Sequence, residues 1–323
     1  MSGAVAQVGV PARQQAQGRR SSLTRSRIRA AWLFIAPSLV VLALIAGWPL
    51  VRTIWFSFTD ADLNNLNDYD FIGFENYLAN YDGEWLGLLT EPDWWHSVWN
   101  TVWFTLVSVS LETVLGIVVA LILNAAFPGR GLMRAVILIP WAIPTIVSAK
   151  MWNWMLHDQF GVINDMLLRI GLIAAPITWT ANPDTALWTA VMVDVWKHTS
   201  FMALLILAAL QMLPQELIDA ARVDGASPWQ LTRHVTLPFI QGVLLVAGLF
   251  RLIDSIKAFP LIYILTDGGP GNLTEVTNYY SFLQAFNFSY LGFSSAITVA
   301  LLAATILLSW VIIRVVGWGV RVE

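Results

Sequence analysis

The 323-residue sequence contains no cysteine, only 12% charged residues and a net charge of -3. Without thiols there are no disulfides, no thiolate metal ligands and no thiol redox chemistry. Soluble domains carry about 25% charged residues. A chain with half that share, 57% hydrophobic residues and a mean hydropathy of +0.64 would expose large apolar patches as a soluble globule. Scarce basic charge argues against a nucleic-acid partner, which needs basic stripes along the phosphates. High hydropathy excludes intrinsic disorder. A GxxxxGK[ST] phosphate loop is also missing. The four histidines (His96, His157, His198 and His234) are scattered, and no nucleophile–base signature appears. The sequence therefore offers neither a catalytic nor a metal site, and the class that remains is a polytopic membrane protein.

What is present supports that class. A membrane-crossing helix needs about 20 mostly apolar residues. Stretches near 30–58, 97–126, 132–156, 185–211, 239–265 and 291–313 qualify, and they are too long for barrel strands. An all-α bundle of six transmembrane helices is predicted. Arg13, Arg19, Arg20, Arg25, Arg27 and Arg29 precede the first stretch, and Arg130, Arg222, Arg233, Arg314 and Arg321 fall in every second connection. The alternate connections hold Arg169 alone, and residues 59–96 carry nine acids from Asp60 to Asp93 with no Lys or Arg. By the positive-inside rule both termini are cytoplasmic. The expected organisation is a cytoplasmic tail at 1–29, a first span at 30–58 and an external acidic loop at 59–96. A five-helix core at 97–313, with a cytoplasmic loop at 212–238, precedes a cytoplasmic end at 314–323.

Ionisable groups inside spans are costly and need a partner or a wet cavity. Glu112 stands in the second span with no charged neighbour within a turn, so any partner lies on another helix. Asp194, Lys197 and His198 share one side of the fourth span, and Arg251, Asp254 and Lys257 form a stripe on the fifth. Two readings stand for these charges: local ion pairs that lock helices beside a pathway, or groups that line it. In the third span Trp141, Thr145, Ser148 and Trp152 fall on one helical face, with Pro140 and Pro144 kinking it. Aromatic planes beside hydroxyls suit a neutral sugar. Interfacial anchoring also accounts for many of the 17 tryptophans, Trp94, Trp95 and Trp99 among them.

The cytoplasmic loop is the most informative segment. Pro214 and Glu216 start a short helix, Gly225 supplies a left-handed end, and Ser227-Pro-Trp-Gln230 opens a second helix with a capping box. Pro238 is expected to close that second helix. Leu217, Ala220, Ala221 and Asp224 share a face whose small residues permit close approach by another surface. Acidic Glu216, Asp219 and Asp224 speak against a helix lying on lipid headgroups, so protein docking is expected.

These residues carry a resemblance. Asp219-Ala-Ala-x-x-Asp224-Gly225-Ala226 followed by Leu237-Pro238 resembles the EAA loop of ABC-importer permeases. Phe71-Ile-Gly-Phe-Glu-Asn-Tyr77, Ile139-Pro-Trp-Ala-Ile-Pro144, Phe160-Gly-Val-Ile-Asn164, Asp194-Val-Trp-Lys197, Arg251-x-x-Asp254-x-x-Lys257 and Thr266-Asp-Gly-Gly-Pro-Gly271 are similar to the maltose-type carbohydrate branch. Asp219 stands where that pattern usually has Glu, Thr232 where it has Phe, and Pro260 where it has a polar residue. The resemblance implies a type I ABC-importer permease fold in the bacterial inner membrane. It implies a second permease subunit, two ATPase subunits that bind ATP and Mg, an extracytoplasmic solute-binding protein and a di- or oligosaccharide solute. No cofactor is implied in this chain. It assigns Glu216, Asp219, Ala220, Ala221, Asp224, Gly225, Ala226 and Pro238 to ATPase coupling. Two other functions stay open, a permease for a phosphorylated polyol such as a glycerol phosphate and an ion-coupled secondary transporter. Six spans without a visible inverted repeat weigh against the latter.

Overall fold

A computed structural model describes residues 22–317. Arg13, Arg19, Arg20 and Arg321 of the basic termini lie outside the described residues. The chain divides into two units, Met1–Arg52 and Thr53–Glu323. Helix α1 (Ser22–Leu42) passes through a π-helical turn at Ala43–Gly47 into α2 (Trp48–Phe56), within which the first unit ends. Arg27–Phe56 is long and apolar enough to cross a membrane, and none of its most apolar stretch is buried within the chain, as suits a helix solvated by lipid.

After α2 comes the acidic loop of the second unit, which contains a small hairpin that hydropathy alone does not reveal. Strands β1 (Ala79–Tyr81) and β2 (Glu84–Leu86) pair antiparallel around Asp82 and Gly83, both at positive φ, the backbone a two-residue hairpin turn demands. Pro92 at the first turn and Asp93 behind it then start α3 (Pro92–Asn124), five residues earlier than hydropathy places the second span. Helices α4 (Arg130–Ala142) and α5 (Thr145–Met155) follow, then the short α6 (Val162–Arg169) and α7 (Ala186–Leu210). The loop helices α8 (Gln215–Val223) and α9 (Pro228–Leu231) lead through a π-helical turn at Thr232–Thr236 into α10 (Leu237–Ser255). Helices α11 (Phe259–Leu265), α12 (Thr277–Phe282) and α13 (Leu291–Gly317) complete the fold.

Three expectations are corrected. The third span is not one helix: α4 and α5 meet at 93°, because Ile143 and Pro144 are extended and proline denies the next turn its hydrogen bond. The fifth span ends at Ser255, and the expected stretch to 265 is a separate helix that starts with Pro260 in its first turn. Pro238 does not close the second loop helix. Residues Pro228–Ser255 run as one span, because Pro238 stands in the first turn of α10, just after the π-helical turn, where its missing N–H is tolerated.

The core of this unit sits between α3, α7 and the segments wrapped around them. Phe104 of α3, Ala149 of α5, Ala190 and Val193 of α7 and Ile262 of α11 form its centre, and Leu123, Ile206 and Ile240 form a second cluster toward the loop helices. Helices α3 and α7 approach so closely at Gly116 that an added Cβ would lie 2.7 Å from the Met202 Cβ. Overpacking of this kind costs about 1–3 kcal/mol. Gly116→Val should therefore lower the melting temperature of the purified protein, whereas Val118→Ala on an exposed face should not.

Candidate functional site

Four of the intramembrane charges predicted from sequence meet at one point. Arg251 of α10 is only 2% exposed, and its guanidinium donates to both Glu112 carboxylate oxygens of α3 at 2.6 and 2.8 Å. It also donates to Asp194 of α7 at 3.0 Å and to Asp254, one turn along α10, at 2.6 Å. Planar, two-pronged recognition of a carboxylate is what arginine does and lysine cannot. A charge sealed at this depth is tolerable only with such saturation. The local-pair reading therefore captures Arg251 with Asp254 but misses the interhelical bonds that tie α3, α7 and α10 together. Asp254 marks the outer edge of the cluster, with its side chain 63% exposed.

Lys197 does not pair with Asp194, as i,i+3 spacing would suggest. Its ammonium donates to the carbonyls of Pro140, Trp141 and Ile143. These are the acceptors orphaned where α4 ends, which water cannot satisfy in the hydrocarbon layer. The break in the third span and the buried lysine of the fourth thus account for one another. Lys257 lies beyond the last turn of α10, exposed and without an ion pair within 4 Å among the described residues. Lys150 on α5 is likewise exposed and, among the described residues, unpaired within that distance.

The single face predicted for the third span does not survive its bend. Trp141 belongs to α4 and stacks on Phe201 with ring centroids 5.8 Å apart, while Thr145, Ser148 and Trp152 belong to α5. Ser148 is buried, and Trp152 packs edge-on against Trp196 of α7. A sugar-stacking surface across all four residues is therefore not formed in this conformation. The extended backbone at Pro144 resets the helical phase on which that face depended.

His198 belongs to the cluster and was not singled out from sequence as a site residue. Its Nδ1 lies 2.8 Å from an Asp194 oxygen, and its Nε2 lies 3.9 Å from Asp254. The signal was present in the i,i+4 spacing of Asp194 and His198 on one helix face. Glu112, Asp194 and His198 place three potential metal donors within 4.8 Å of one another. The Arg251 guanidinium already occupies both Glu112 oxygens and one of Asp194, so the set is an ion-pair cluster rather than a cation cage.

At the other end of the fold the loop helices are built as a rigid hairpin. Gly225, at φ +80°, follows α8 and donates to the Arg222 carbonyl, while the Ala226 N–H reaches the Ala221 carbonyl, both at 3.0 Å. This Schellman closure needs a left-handed residue that glycine adopts without strain. Ser227 and Gln230 then form the reciprocal capping box expected from sequence. Asp219 pairs with Arg222 at 3.5 Å, and Glu216 occupies the first turn of α8. Glu216, Leu217, Ala220, Asp224 and Pro238 are exposed, and Val223 is 87% exposed. Ala221, Asp224, Gly225 and Ala226 line a shallow cavity of about 340 Å³ closed by Gln230 and His234.

A third feature lies where α3 begins. A cavity of about 520 Å³ is lined by Glu91, Asp93, Asn272, Glu275, Tyr280 and Gln284 among others. Burial, followed by the Asp93 charge, pushes the Glu275 carboxyl up to about 7. Tyr280 is raised as well, first by burial and then by Glu91 and Asp93. An unfolded Glu titrates near about 4.3. The folded-state value lies above that, so the stability contributed by Glu275 is fully present below about 4.3 and lost as pH rises through about 7. Glu275→Gln should flatten the dependence of melting temperature on pH across that window.

The second unit thus combines an exposed hairpin between two apolar spans with a sealed charge network among three helices. The chain belongs to the family described as binding-protein-dependent transport system inner membrane component, whose pattern matches residues 112–320. It is 39% identical over 91% of its length to the trehalose/maltose transport system permease protein of Thermococcus litoralis, covering 95% of that protein. It is 36% identical to the sulfoquinovosyl glycerol transport system permease protein of Agrobacterium fabrum, covering 88% of this chain and 90% of that one. It is 34% identical to the trehalose transport system permease protein of Mycobacterium tuberculosis, with 92% of each covered. Among solved structures, a chain of a bacterial ABC transporter involved in the import of the acidic polysaccharide alginate superposes with a TM-score of 0.74 at 19% identity. That superposition covers 92% of this chain and 99% of the other. The fold is that of type I ABC-importer permeases, and the protein is a multi-pass membrane transport subunit.

Proposed function

We infer that this permease carries a di- or oligosaccharide inward as one half of a heterodimer served by two ATPase subunits and an extracytoplasmic solute-binding protein. The observation that supports this most is the α8–α9 hairpin, an exposed acidic and small-residue surface locked by a Schellman closure and a capping box. Such a hairpin transmits displacement as a rigid body, whereas a flexible loop would absorb it. In this reading Glu216, Asp219, Ala220, Ala221, Asp224, Gly225 and Ala226 meet the ATPase, with Pro238 placing the following span. ATP and Mg are held by those partners and not by this chain.

Both termini are cytoplasmic in this reading, by the arginine distribution, so the beginning of α3 and the acidic loop face outward. The sugar assignment draws on the named transport systems of the relatives. Lys150 and Lys257, exposed and without an ion pair among the described residues, favour a second reading, in which the solute carries an anionic group such as a phosphate. Reconstitution with the partner subunits in proteoliposomes tests both. ATP hydrolysis stimulated by neutral di- or oligosaccharides supports the first reading, stimulation by polyol phosphates alone supports the second, and uptake independent of ATP overturns both.

A further inference from the structure

The segment between α10 and α13 carries a row of aromatic rings that the coupling account does not use. Phe259 and Tyr263 of α11 stack with ring centroids 5.4 Å apart and 14° between their planes. Phe282 of α12 packs against both, at 5.0 and 5.5 Å. Phe286 continues the row 4.9 Å from Phe282. It is carried by a π-helical turn at Leu283–Asn287, a distortion that recurs at functional sites. The row does not end in the core, since Tyr263 is exposed and Phe286 is 63% exposed.

A cavity of about 400 Å³ lies along this row, inside the range of about 300–1,000 Å³ typical of small-molecule sites. Phe259, Phe282 and Phe286 supply its aromatic lining, and Asn278, Ser281, Ser294, Ser295 and Thr298 supply a polar one. The Ser281 hydroxyl meets those of Ser294 and Thr298 at 3.0 Å each, which ties α12 to α13. Two polar groups are left over. Ser295 is only 4% exposed, and its hydroxyl has no hydrogen-bond partner among the described residues. The Asn278 amide donates to the Ile256 carbonyl at 3.2 Å, while its oxygen accepts from no described residue. Among the described residues no charged side chain lines the cavity. An anionic solute would find no cation here, and a lipid chain would leave the Ser295 hydroxyl unpaired, which buried polar groups rarely are. A sugar ring suits both linings. Its C–H faces lie on the negative face of an aromatic ring, and the hydroxyls on its rim both donate and accept.

We propose that this cavity is an outer saccharide site, in which a neutral sugar ring stacks on Phe282 and Phe286 and exchanges hydrogen bonds with Asn278, Ser295 and Thr298. With the arginine-rich segments cytoplasmic, it lies near the outer end of α13, on the side from which solute arrives. It shares no residue with the buried charge cluster. The assignment rests on the reading of this chain as a saccharide permease and adds a place where the solute first touches it.

Because the chain has no cysteine, Thr298→Cys places the chain's only thiol on the cavity wall. In the transporter assembled with its partner subunits in lipid, a water-soluble maleimide should label this thiol. Maltose, trehalose and maltotriose are then added singly at saturating concentration. At least one should slow the labelling several-fold, whereas glycerol phosphate should leave it unchanged. Asn67→Cys, exposed in the acidic loop, should label at one rate under all conditions. Adding Phe286→Ala to Thr298→Cys should remove the protection, and Phe286→Tyr, which keeps the ring, should retain it. Ser295→Ala gives the same test if the Phe286→Ala variant does not assemble. Labelling that no sugar slows, a thiol that reacts only with a lipid-soluble maleimide, or protection that survives these truncations would overturn the proposal. ATP hydrolysis by the wild-type assembly reports on the saccharide reading separately. Stimulation by a sugar without protection sinks the site alone, and protection without stimulation supports the site and counts against the reading.

Discussion

Arg251→Met is expected to cost about 3–5 kcal/mol, the range for breaking a buried ion pair from one side. Three of the bonds that tie α10 to its neighbours end on this one guanidinium, including both hydrogen bonds that Glu112 accepts from Arg251. Protein expressed with this substitution should melt well below wild type and be recovered in reduced yield. Arg251→Lys should rescue only part of the loss, because a point charge cannot grip both oxygens of Glu112 while also reaching Asp194. Combining Arg251→Met with Glu112→Gln should recover more than Arg251→Lys, since an unpaired buried charge is more damaging than a lost pair. Melting temperatures of the three variants in one detergent give the order. If Arg251→Met melts like wild type, the cluster is not what holds α3, α7 and α10 together.

The second large effect falls on transport rather than stability. Gly225→Val places a β-branched residue at φ +80°, where a side chain costs about 1–2 kcal/mol. The closure between Ala226 and Ala221 depends on that backbone, so the angle between α8 and α9 would change while the spans stay packed. A penalty of this size on the docked arrangement corresponds to a loss of about 5–30-fold. Solute-stimulated ATP hydrolysis and uptake should fall together by that factor, with membrane insertion and melting temperature near wild type. Gly225→Asn, a residue that tolerates the left-handed region, should lie between the two.

How much of this was legible in the sequence depends on the kind of order involved. Helices α3, α7, α10 and α13 are readable because a span needs only length and hydropathy. The α8–α9 hairpin is readable because Gly225, Ser227, Pro228 and Gln230 each impose local backbone geometry. The interhelical network is not readable, because Glu112 and Arg251 are 139 positions apart. Sequence can say that Glu112 needs a partner but not which helix supplies it. Lys197 shows the converse error. A neighbouring acid at i-3 looked sufficient, yet the carbonyls freed by Pro144 compete for the same ammonium and hold it. Trp141 was misplaced for the same reason, since a helical phase extrapolates across a proline only if the helix continues through it.

The central claim, that the α8–α9 hairpin is where an ATPase grips this permease, can be tested most directly because the chain has no cysteine. Ala220→Cys on the exposed face of α8 introduces a unique thiol, to be challenged with a short bifunctional thiol reagent in the assembled transporter. The account predicts a covalent product between this chain and an ATPase subunit, with a yield that changes when nucleotide is added. A thiol at Ala220 that labels freely in the assembled complex and yields no such product in any nucleotide state would contradict it.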